Sequence, residues 1–341
     1  MKKFNSFKKV TVIAEVGVNH NGNERLAFKM IDEAKACGAD IVKFQLFKTN
    51  KLIIKKSNKP LYIKKNNQFN KKTQYEILKS LELKFDCIER LSKYCKKSKI
   101  EFLLSPFDIE SIKEIKKLNL KKVKIPSGEI NNLPYLKEIA KLKKEIILST
   151  GMSSIQEIRN ALEILINSGI NKKNITLLHC NTDYPTKFED VNLSAMQNMR
   201  KLFNTKIGYS DHTLGIEVPI AATALGANII EKHFTLDKTM KGPDHKASLE
   251  PHEFKEMVRC IKNISRAHGN GKKILTRSEK KNIKFVRKSI VAANFINKGE
   301  FFTEKNLTTK RPGNGLSPMM WNKIIRKKSK KLYKPDDLIN L

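Results

Sequence analysis

The sequence predicts an α/β protein, a (β/α)8 TIM barrel followed by a small β-rich module. Three observations lead there. Eight short apolar, β-rich runs recur over about the first 270 residues and alternate with longer amphipathic stretches. Such alternation implies parallel strands joined by crossover helices. The rhythm then breaks at Gly269-Asn270-Gly271, beyond which the runs are short and turn-rich. A doubly wound sheet is the alternative, but no GxGxxG turn follows the first strand.

The strand candidates are residues 10–18, 41–46, 101–105, 122–126, 145–149, 175–180, 206–209 and 228–234. Between them, Leu26, Ala27, Met30, Ile31 and Ala34 have the i, i+3, i+4 spacing of a helix that ends at Gly38. Residues 75–95 read as one long apolar-striped helix, and 112–118 as a short one. A helix over 154–165 is expected to start from Ser153 as N-cap, with Gln156 closing a capping box, and to stop at Gly169. Residues 252–267 close the series. The expected division is a barrel over 1–275, a linker over 276–284 and a β-rich domain over 285–341, with strands at 289–293 and 307–310 and a helix at 320–325. Residues 48–75 carry nine lysines, no acid and one proline. Loops of that length inside a domain are usually functional, often lids.

The 341 residues carry a net charge of +34, from 68 basic and 34 acidic side chains. That excess suggests nucleic acid or acidic lipid. However, 58 of the 68 are lysine, whereas base reading and bidentate phosphate clamps favour arginine. The charge therefore reads as a lysine-biased solvated surface, with no nucleic-acid partner expected. The apolar fraction of 40% argues against disorder, and no apolar run is long enough to span a membrane. The basic N-terminus runs into a strand-like segment interrupted by Glu15, so no secretory signal is expected. Five cysteines without CxxC spacing suggest neither a disulfide framework nor a zinc cluster, and a cytoplasmic location is the expectation.

In such a barrel the chemistry sits at the C-terminal ends of the strands. The first offers Glu15 and Asn19-His20-Asn21-Gly22. The second offers Lys43 and Gln45, and the fourth Lys124 with Ser127-Gly128-Glu129. The fifth offers Ser149-Thr150-Gly151, the sixth His179 and Asn181-Thr182-Asp183-Tyr184, and the seventh Tyr209-Ser210-Asp211-His212. The eighth offers Glu231-Lys232-His233, then Asp244-His245. Lys43 and Lys124 sit inside apolar runs, where an ammonium is costly to desolvate and calls for an anionic partner. An internal Glu could serve either lysine alone; for both together with the serines, a bound phosphate or carboxylate explains more. Ser149-Thr150-Gly151 before a helix could add backbone N–H groups and the helix dipole. His212 and His233 end neighbouring strands and could share a divalent ion such as Mn2+ or Co2+, although a histidine there can equally be a hydrogen-bonded core residue.

The motifs Ala14-Glu15-Val16-Gly17-Val18-Asn19-His20-Asn21-Gly22, Val42-Lys43-Phe44-Gln45, Lys124-Ile125-Pro126-Ser127-Gly128-Glu129, Ser149-Thr150-Gly151-Met152, Gly208-Tyr209-Ser210-Asp211-His212-Thr213 and Glu231-Lys232-His233-Phe234-Thr235 together resemble the sialic acid synthase family. Its members make N-acetylneuraminate, legionaminate or pseudaminate. Lys310-Arg311-Pro312-Gly313-Asn314-Gly315 resembles the antifreeze-like (SAF, β-clip) domain attached to those enzymes. The likeness runs in order through essentially the whole chain.

The resemblance implies that phosphoenolpyruvate, an open-chain 2-acetamido sugar and water give a nine-carbon 2-keto acid and phosphate. By similarity His212 and His233 hold the metal, with Mn2+ expected and Mg2+ or Co2+ as alternatives. Lys43, Lys124, Ser127, Ser149, Asn181 and Ser210 match positions that bind phosphoenolpyruvate. Glu15, Gln45, Tyr184 and Asp244 match sugar-contacting positions, and Glu129, with Glu15, matches the carboxylates expected to be catalytic. Arg311 matches an arginine that the partner subunit of a domain-swapped homodimer offers to the sugar's N-acetyl group. N-acetylmannosamine is the first-choice substrate and N-acetylneuraminate the product. The alternative is an N,N'-diacetyllegionaminate or pseudaminate synthase acting on a 2,4-diacetamido-6-deoxy hexose. A related 3-deoxy sugar-acid synthase would lack the SAF module, and a non-catalytic polyanion binder would not need Lys43, His212 or His233.

Overall fold

The computed structural model describes residues 9–64, 69 and 71–340. Residues 1–8 of the basic N-terminus, and 65–68 and 70 of the lysine-rich stretch, lie outside the described residues. The chain divides into the units Met1–Asn270 and Gly271–Leu341.

The first unit is an eight-stranded parallel barrel. Its strands are β1 (Thr11–Gly17), β2 (Ile41–Leu46), β3 (Glu101–Pro106), β4 (Lys122–Ile125), β5 (Glu145–Ser149), β6 (Ile175–His179), β7 (Lys206–Asp211) and β8 (Ile229–His233). They are hydrogen-bonded in the order β3-β2-β1-β8-β7-β6-β5-β4, and β3 and β4 lie side by side to close the ring. Successive side chains of a strand face opposite ways. One set, including Val12, Ala14, Val42, Phe44, Leu104, Leu148, Leu177 and Ile230, packs outward against the helices in the main core. The other set forms the barrel floor: Ile13, Ile41, Leu103, Ile147, Leu178 and Ile229 make a separate buried cluster. A strand covered on both faces reads as a continuous apolar run, which is why these strands are legible in the sequence.

The helices pack around the barrel. α1 (Glu24–Ala36) is capped by Asn23 and buries Ala27, Met30, Ile31 and Ala34, the stripe expected from the spacing. The segment after β2 is not a bare loop, since it holds α2 (Thr49–Leu52) and α3 (Leu61–Lys64). The single helix expected over 75–95 is two, α4 (Gln74–Leu81) and α5 (Phe85–Ser98). Glu82 leaves helical geometry between them, and its carboxylate accepts from Thr49 N, Thr49 Oγ1 and Lys79 Nζ. α6 (Ile109–Ile115) and α7 (Leu133–Ala140) follow. α8 (Ile155–Asn167) starts one residue later than expected. Ser154 is its N-cap and Glu157 closes the capping box, because a carboxylate at N3 can accept the cap's N–H. α9 (Ser194–Phe203), α10 (Glu217–Ala224) and α11 (Pro251–Ala267) complete the ring. The sequence reading left α7, α9 and α10 unassigned. α10 is apolar nearly all round, so it shows no helical stripe.

In the second unit, α12 (Arg277–Val286) occupies the segment expected to be a linker, with Thr276 and Glu279 forming its capping box. β9 (Ser289–Ala292) and β10 (Leu307–Lys310) pair antiparallel, and α13 (Trp321–Ile324) follows. Ile290, Ala292, Ile296, Phe302, Leu307, Ile324, Tyr333 and Ile339 form this unit's own core. Among the described residues no helix is long and apolar enough to cross a membrane.

Candidate active site

The barrel floor locates the site. Two residues beyond Ile13, Ile41, Leu103, Ile147, Leu178 and Ile229 stand Glu15, Lys43, Ser105, Ser149, Cys180 and Glu231, and all six line one cavity of about 690 Å³. β4 and β7 add Lys124 and Ser210, so every strand contributes to this ring. One further step of two brings in Gln45, Phe107, Pro126, Thr182, His212 and His233. Register sets the neighbours: Glu15 lies opposite Lys43 on one side and His233 on the other, and Ser210 lies opposite Glu231. Gly17 makes room at the bulge that follows. Its φ is +55°, and a Cβ there would sit 3.1 Å from Glu15 Oε1 and 3.4 Å from His233 Cε1.

The two lysines meet carboxylates. Glu231 Oε1 accepts from Lys124 Nζ at 2.8 Å and from Ser210 Oγ at 2.9 Å, and Lys43 Nζ lies 3.3 Å from it. Lys43 Nζ also lies 3.1 Å from Glu15 Oε2 and 3.3 Å from Ser105 Oγ. The internal-glutamate reading of the lysines therefore holds for both. These four charged groups are at most 5% exposed, so each is costly to bury and is kept only by its partners. Burial opposes ionisation of Glu231, but Lys124 and Lys43 outweigh it and hold the carboxyl well below the usual range. For Glu15 burial prevails over Lys43, and its pKa is raised. Burial likewise lowers Lys124, whereas Glu15 and Glu231 outweigh it at Lys43, which is raised.

Charge is balanced, but hydrogen bonding is not complete. Glu231 Oε2 and Glu15 Oε2 are buried without an aligned donor among the described residues; the Lys43 ammonium near Glu15 Oε2 does not meet hydrogen-bond geometry. Among the described residues, Glu231 Oε1 is the sole hydrogen-bond acceptor of Lys124 Nζ, so other N–H groups of this ammonium remain for a ligand. The anion cradle expected at Ser149-Thr150-Gly151 takes a different form. Thr150 N donates to Leu178 O at 3.0 Å, Gly151 N donates to Ser127 Oγ at 2.9 Å, and the Glu157 carboxylate closes the start of α8. These backbone donors are already used, leaving the Ser127 and Ser149 side chains to line the cavity.

His212 and His233 do come together, with ring centroids 5.4 Å apart, and the Tyr184 ring lies 4.2 Å and 5.8 Å from them. His212 Nδ1 meets the Asn181 carbonyl at 2.5 Å. A carbonyl only accepts, so Nδ1 carries the proton and Nε2 keeps its lone pair. Burial lowers the His212 pKa to about 4 and takes His233 well below its ordinary value, leaving two neutral imidazoles. Among the described residues His233 Nδ1 is buried without a hydrogen-bond partner, 4.0 Å from Asp244 Oδ2. Burial, aided by the Glu15 charge, pushes Asp244 up to about 7. An unsatisfied imidazole nitrogen, a second imidazole with a free Nε2 and nearby carboxylates fit a divalent cation. Among the described residues, the one group of three such ligand atoms within 4.8 Å lies elsewhere, at Glu250, His252 and Glu253. There Glu250 and Glu253 form the capping box of α11.

Of the expected site residues, Glu15, Lys43, Gln45, Lys124, Ser127, Ser149, Tyr184, Ser210, His212, His233 and Asp244 line the one cavity. Glu129 does not. It sits in a short turn after β4, and its carboxylate accepts from Asn132 Nδ2 at 2.7 Å. The Asn181 side chain lines a neighbouring cavity, where its Oδ1 accepts from Asp183 N. Arg311 is exposed on the second unit, after β10. Sequence reasoning placed Glu231 at the end of its strand without giving it a role, and it missed Ser105 as a site residue. Lys232 and Asp211, named at strand ends but not as partners, form a wholly buried pair whose adjacent positions hold His233 and His212. Lys232 Nζ also donates to Thr213 O, tying together the ends of β7 and β8.

Residues 30–273 match the NeuB family and residues 287–340 the SAF domain. The chain belongs to the NeuB family. It is 53% identical over 332 residues to the N,N'-diacetyllegionaminic acid synthase of Campylobacter jejuni, covering 97% of this chain and 99% of that one. The N,N'-diacetyllegionaminic acid synthase of Legionella pneumophila is 43% identical, over 92% of this chain and 88% of its own. Among solved structures, the N-acetylneuraminic acid synthetase of Leptospira borgpetersenii in complex with citrate is 34% identical with a TM-score of 0.71, over 82% of this chain and 92% of that one. This NeuB-family chain is thus an enzyme of the nonulosonate synthase kind.

Proposed function

We propose that the protein condenses phosphoenolpyruvate with a 2,4-diacetamido-6-deoxy hexose and water, giving N,N'-diacetyllegionaminate and phosphate. The observation that carries this reading is the 53% identity to the Campylobacter N,N'-diacetyllegionaminic acid synthase along nearly the whole of both chains. It replaces N-acetylneuraminate as first-choice product, since the neuraminic acid synthetase is the more distant at 34%.

The site suits such a reaction. Lys124, with donors to spare, and Lys43, Ser127, Ser149 and Ser210 would hold the carboxylate and phosphate of phosphoenolpyruvate. His212 and His233 would hold a divalent ion, Mn2+ in our reading, which as a Lewis acid polarises a sugar carbonyl. Gln45 Nε2 lies 3.3 Å from Glu15 Oε1 and fixes that carboxyl beside Lys43. Glu15, its pKa raised by burial, is the cavity carboxyl we assign to proton transfer, whereas Glu129 is not among the residues lining the cavity and accepts from Asn132. Arg311 would act on the sugar from the second unit of a partner in a homodimer. Purified protein given Mn2+, phosphoenolpyruvate and a panel of 2-acetamido sugars should release phosphate fastest with the 2,4-diacetamido-6-deoxy sugar. A higher kcat/KM with N-acetylmannosamine, or no turnover with any sugar, would overturn the reading.

A further inference from the structure

The cavity has two chemically different sides. One is the ring of Lys43, Lys124, Glu15 and Glu231 with the two histidines. The other is apolar and comes largely from the segment after β2, whose composition is dominated by lysine. Leu52, Ile53 and Leu78 line that side together with Phe107, the residue that follows β3. Each of the four keeps part of its surface uncovered by protein. Val18, Phe47, Ile63, Ile77 and Leu81, which also line the cavity, form a buried cluster against which Leu52, Leu78 and Phe107 pack. Meanwhile Lys51, Lys55, Lys56, Lys64, Lys71 and Lys72 are exposed. The segment thus turns most of its charge to solvent and mainly apolar residues to the cavity, with Gln74 the polar exception, so the patch of Leu52, Ile53, Leu78 and Phe107 offers contact with methyl groups.

We propose that Leu52, Ile53, Leu78 and Phe107 form the specificity-determining surface of this enzyme, selecting the sugar by its methyl groups. Resting on the function proposed above, the wall would take the C6 methyl and the 4-acetamido methyl of the 2,4-diacetamido-6-deoxy hexose. A sugar with hydroxyls at C4 and C6, such as N-acetylmannosamine, would set those hydroxyls against the carbon of Leu52, Ile53, Leu78 and Phe107, none of which can replace the lost water. Discrimination comes from both sides, as apolar area is buried by the right sugar and hydrogen bonds are lost by the wrong one.

The test is the ratio of kcat/KM for the two sugars in Leu78→Asn and Ile53→Thr variants, with Leu78→Met as the conservative control. A methyl-sized change in an apolar pocket shifts discrimination by about tenfold or more. Each polar variant should therefore lower the preference for the diacetamido sugar at least about tenfold, while Leu78→Met retains it. The KM for phosphoenolpyruvate should stay unchanged, which also reports correct folding. If Leu78→Asn fails to fold, Ile53→Thr, which keeps the β-branch suited to the extended backbone at this position, decides the matter. An unchanged ratio in a folded polar variant refutes the selecting wall. If instead the unsubstituted protein shows no preference for the diacetamido sugar, the proposed function itself fails.

Discussion

Replacing Glu231 by Gln tests the electrostatic design of the site most directly. Three donors converge on one oxygen of this carboxylate, from Lys124, Ser210 and Lys43. Glutamine keeps the shape and an acceptor oxygen but removes the charge, leaving Glu15 alone opposite two buried ammonium groups. Removing one partner of a buried pair costs about 3 to 5 kcal/mol, and because the amide still accepts, the lower end applies. For a unit of this size that is a fall in Tm of roughly 6 to 12 °C. The two under-compensated lysines should then bind an anion more strongly. Added phosphoenolpyruvate should raise the Tm of the variant by more than it raises that of the unsubstituted protein. Acid dependence provides a second readout. The folded-state pKa of Glu231 lies below its ordinary value of 4.5, so its stabilisation is complete above that pH and fades as pH falls further. The variant should therefore lose less stability than the parent on acidification below that point. Thermal melts across pH and phosphoenolpyruvate concentration measure both effects. An unchanged Tm together with an equal or smaller phosphoenolpyruvate shift would falsify the view that Glu231 is the internal counter-charge that an incoming anion supplements.

Four further expectations follow from the geometry. Glu129→Gln should leave kcat within about threefold of the parent, since its carboxyl faces Asn132 and not the cavity; a loss of 100-fold or more would show that the residue acts on substrate. Gly17→Ala should destabilise by about 1 to 3 kcal/mol and raise the sugar KM, because φ is +55° and the new methyl would press on Glu15 and His233; a melt equal to the parent's contradicts this. His212→Ala should abolish Mn2+ binding measured by calorimetry, and retained affinity would remove the metal from this site. Arg311→Ala should raise the sugar KM and spare that for phosphoenolpyruvate, and equal effects on both would argue against a sugar-directed role for the second unit.

The fold was legible because a barrel strand has two apolar faces and little else. Polar residues inside such runs stand out, and Lys43 and Lys124 were conspicuous for that reason. Their partner was less so. Glu231, Lys232 and His233 are consecutive, and only a strict period of two separates them: Glu231 and His233 face the cavity, while Lys232 turns away to Asp211. Counting from Ile229 of the floor would have assigned all three. Ser105 passed unnoticed because a serine before Pro106 reads as the end of a strand, although it stands two residues beyond Leu103. Glu129 shows where the rule stops. It follows β4 in a short helical turn, so strand spacing no longer fixes its direction, and its catalytic role rests on the motif match alone.

The same distinction explains why total charge misled and position did not. The segment between β2 and α4 announces itself by its nine lysines, yet the described ones are turned mainly to solvent, where each is screened and has little effect on a ligand. Its consequences for chemistry lie in the few apolar residues between them, which composition hides and which only the folded segment brings onto one face. Inside the barrel the proportions reverse. Two lysines and two glutamates, all nearly inaccessible, shift one another's protonation at the base of the cavity. A surface lysine changed to glutamine should alter net charge and leave turnover almost untouched, whereas the same change at Lys124 leaves Glu231 short of its strongest donor and removes the ammonium best placed to receive an anion.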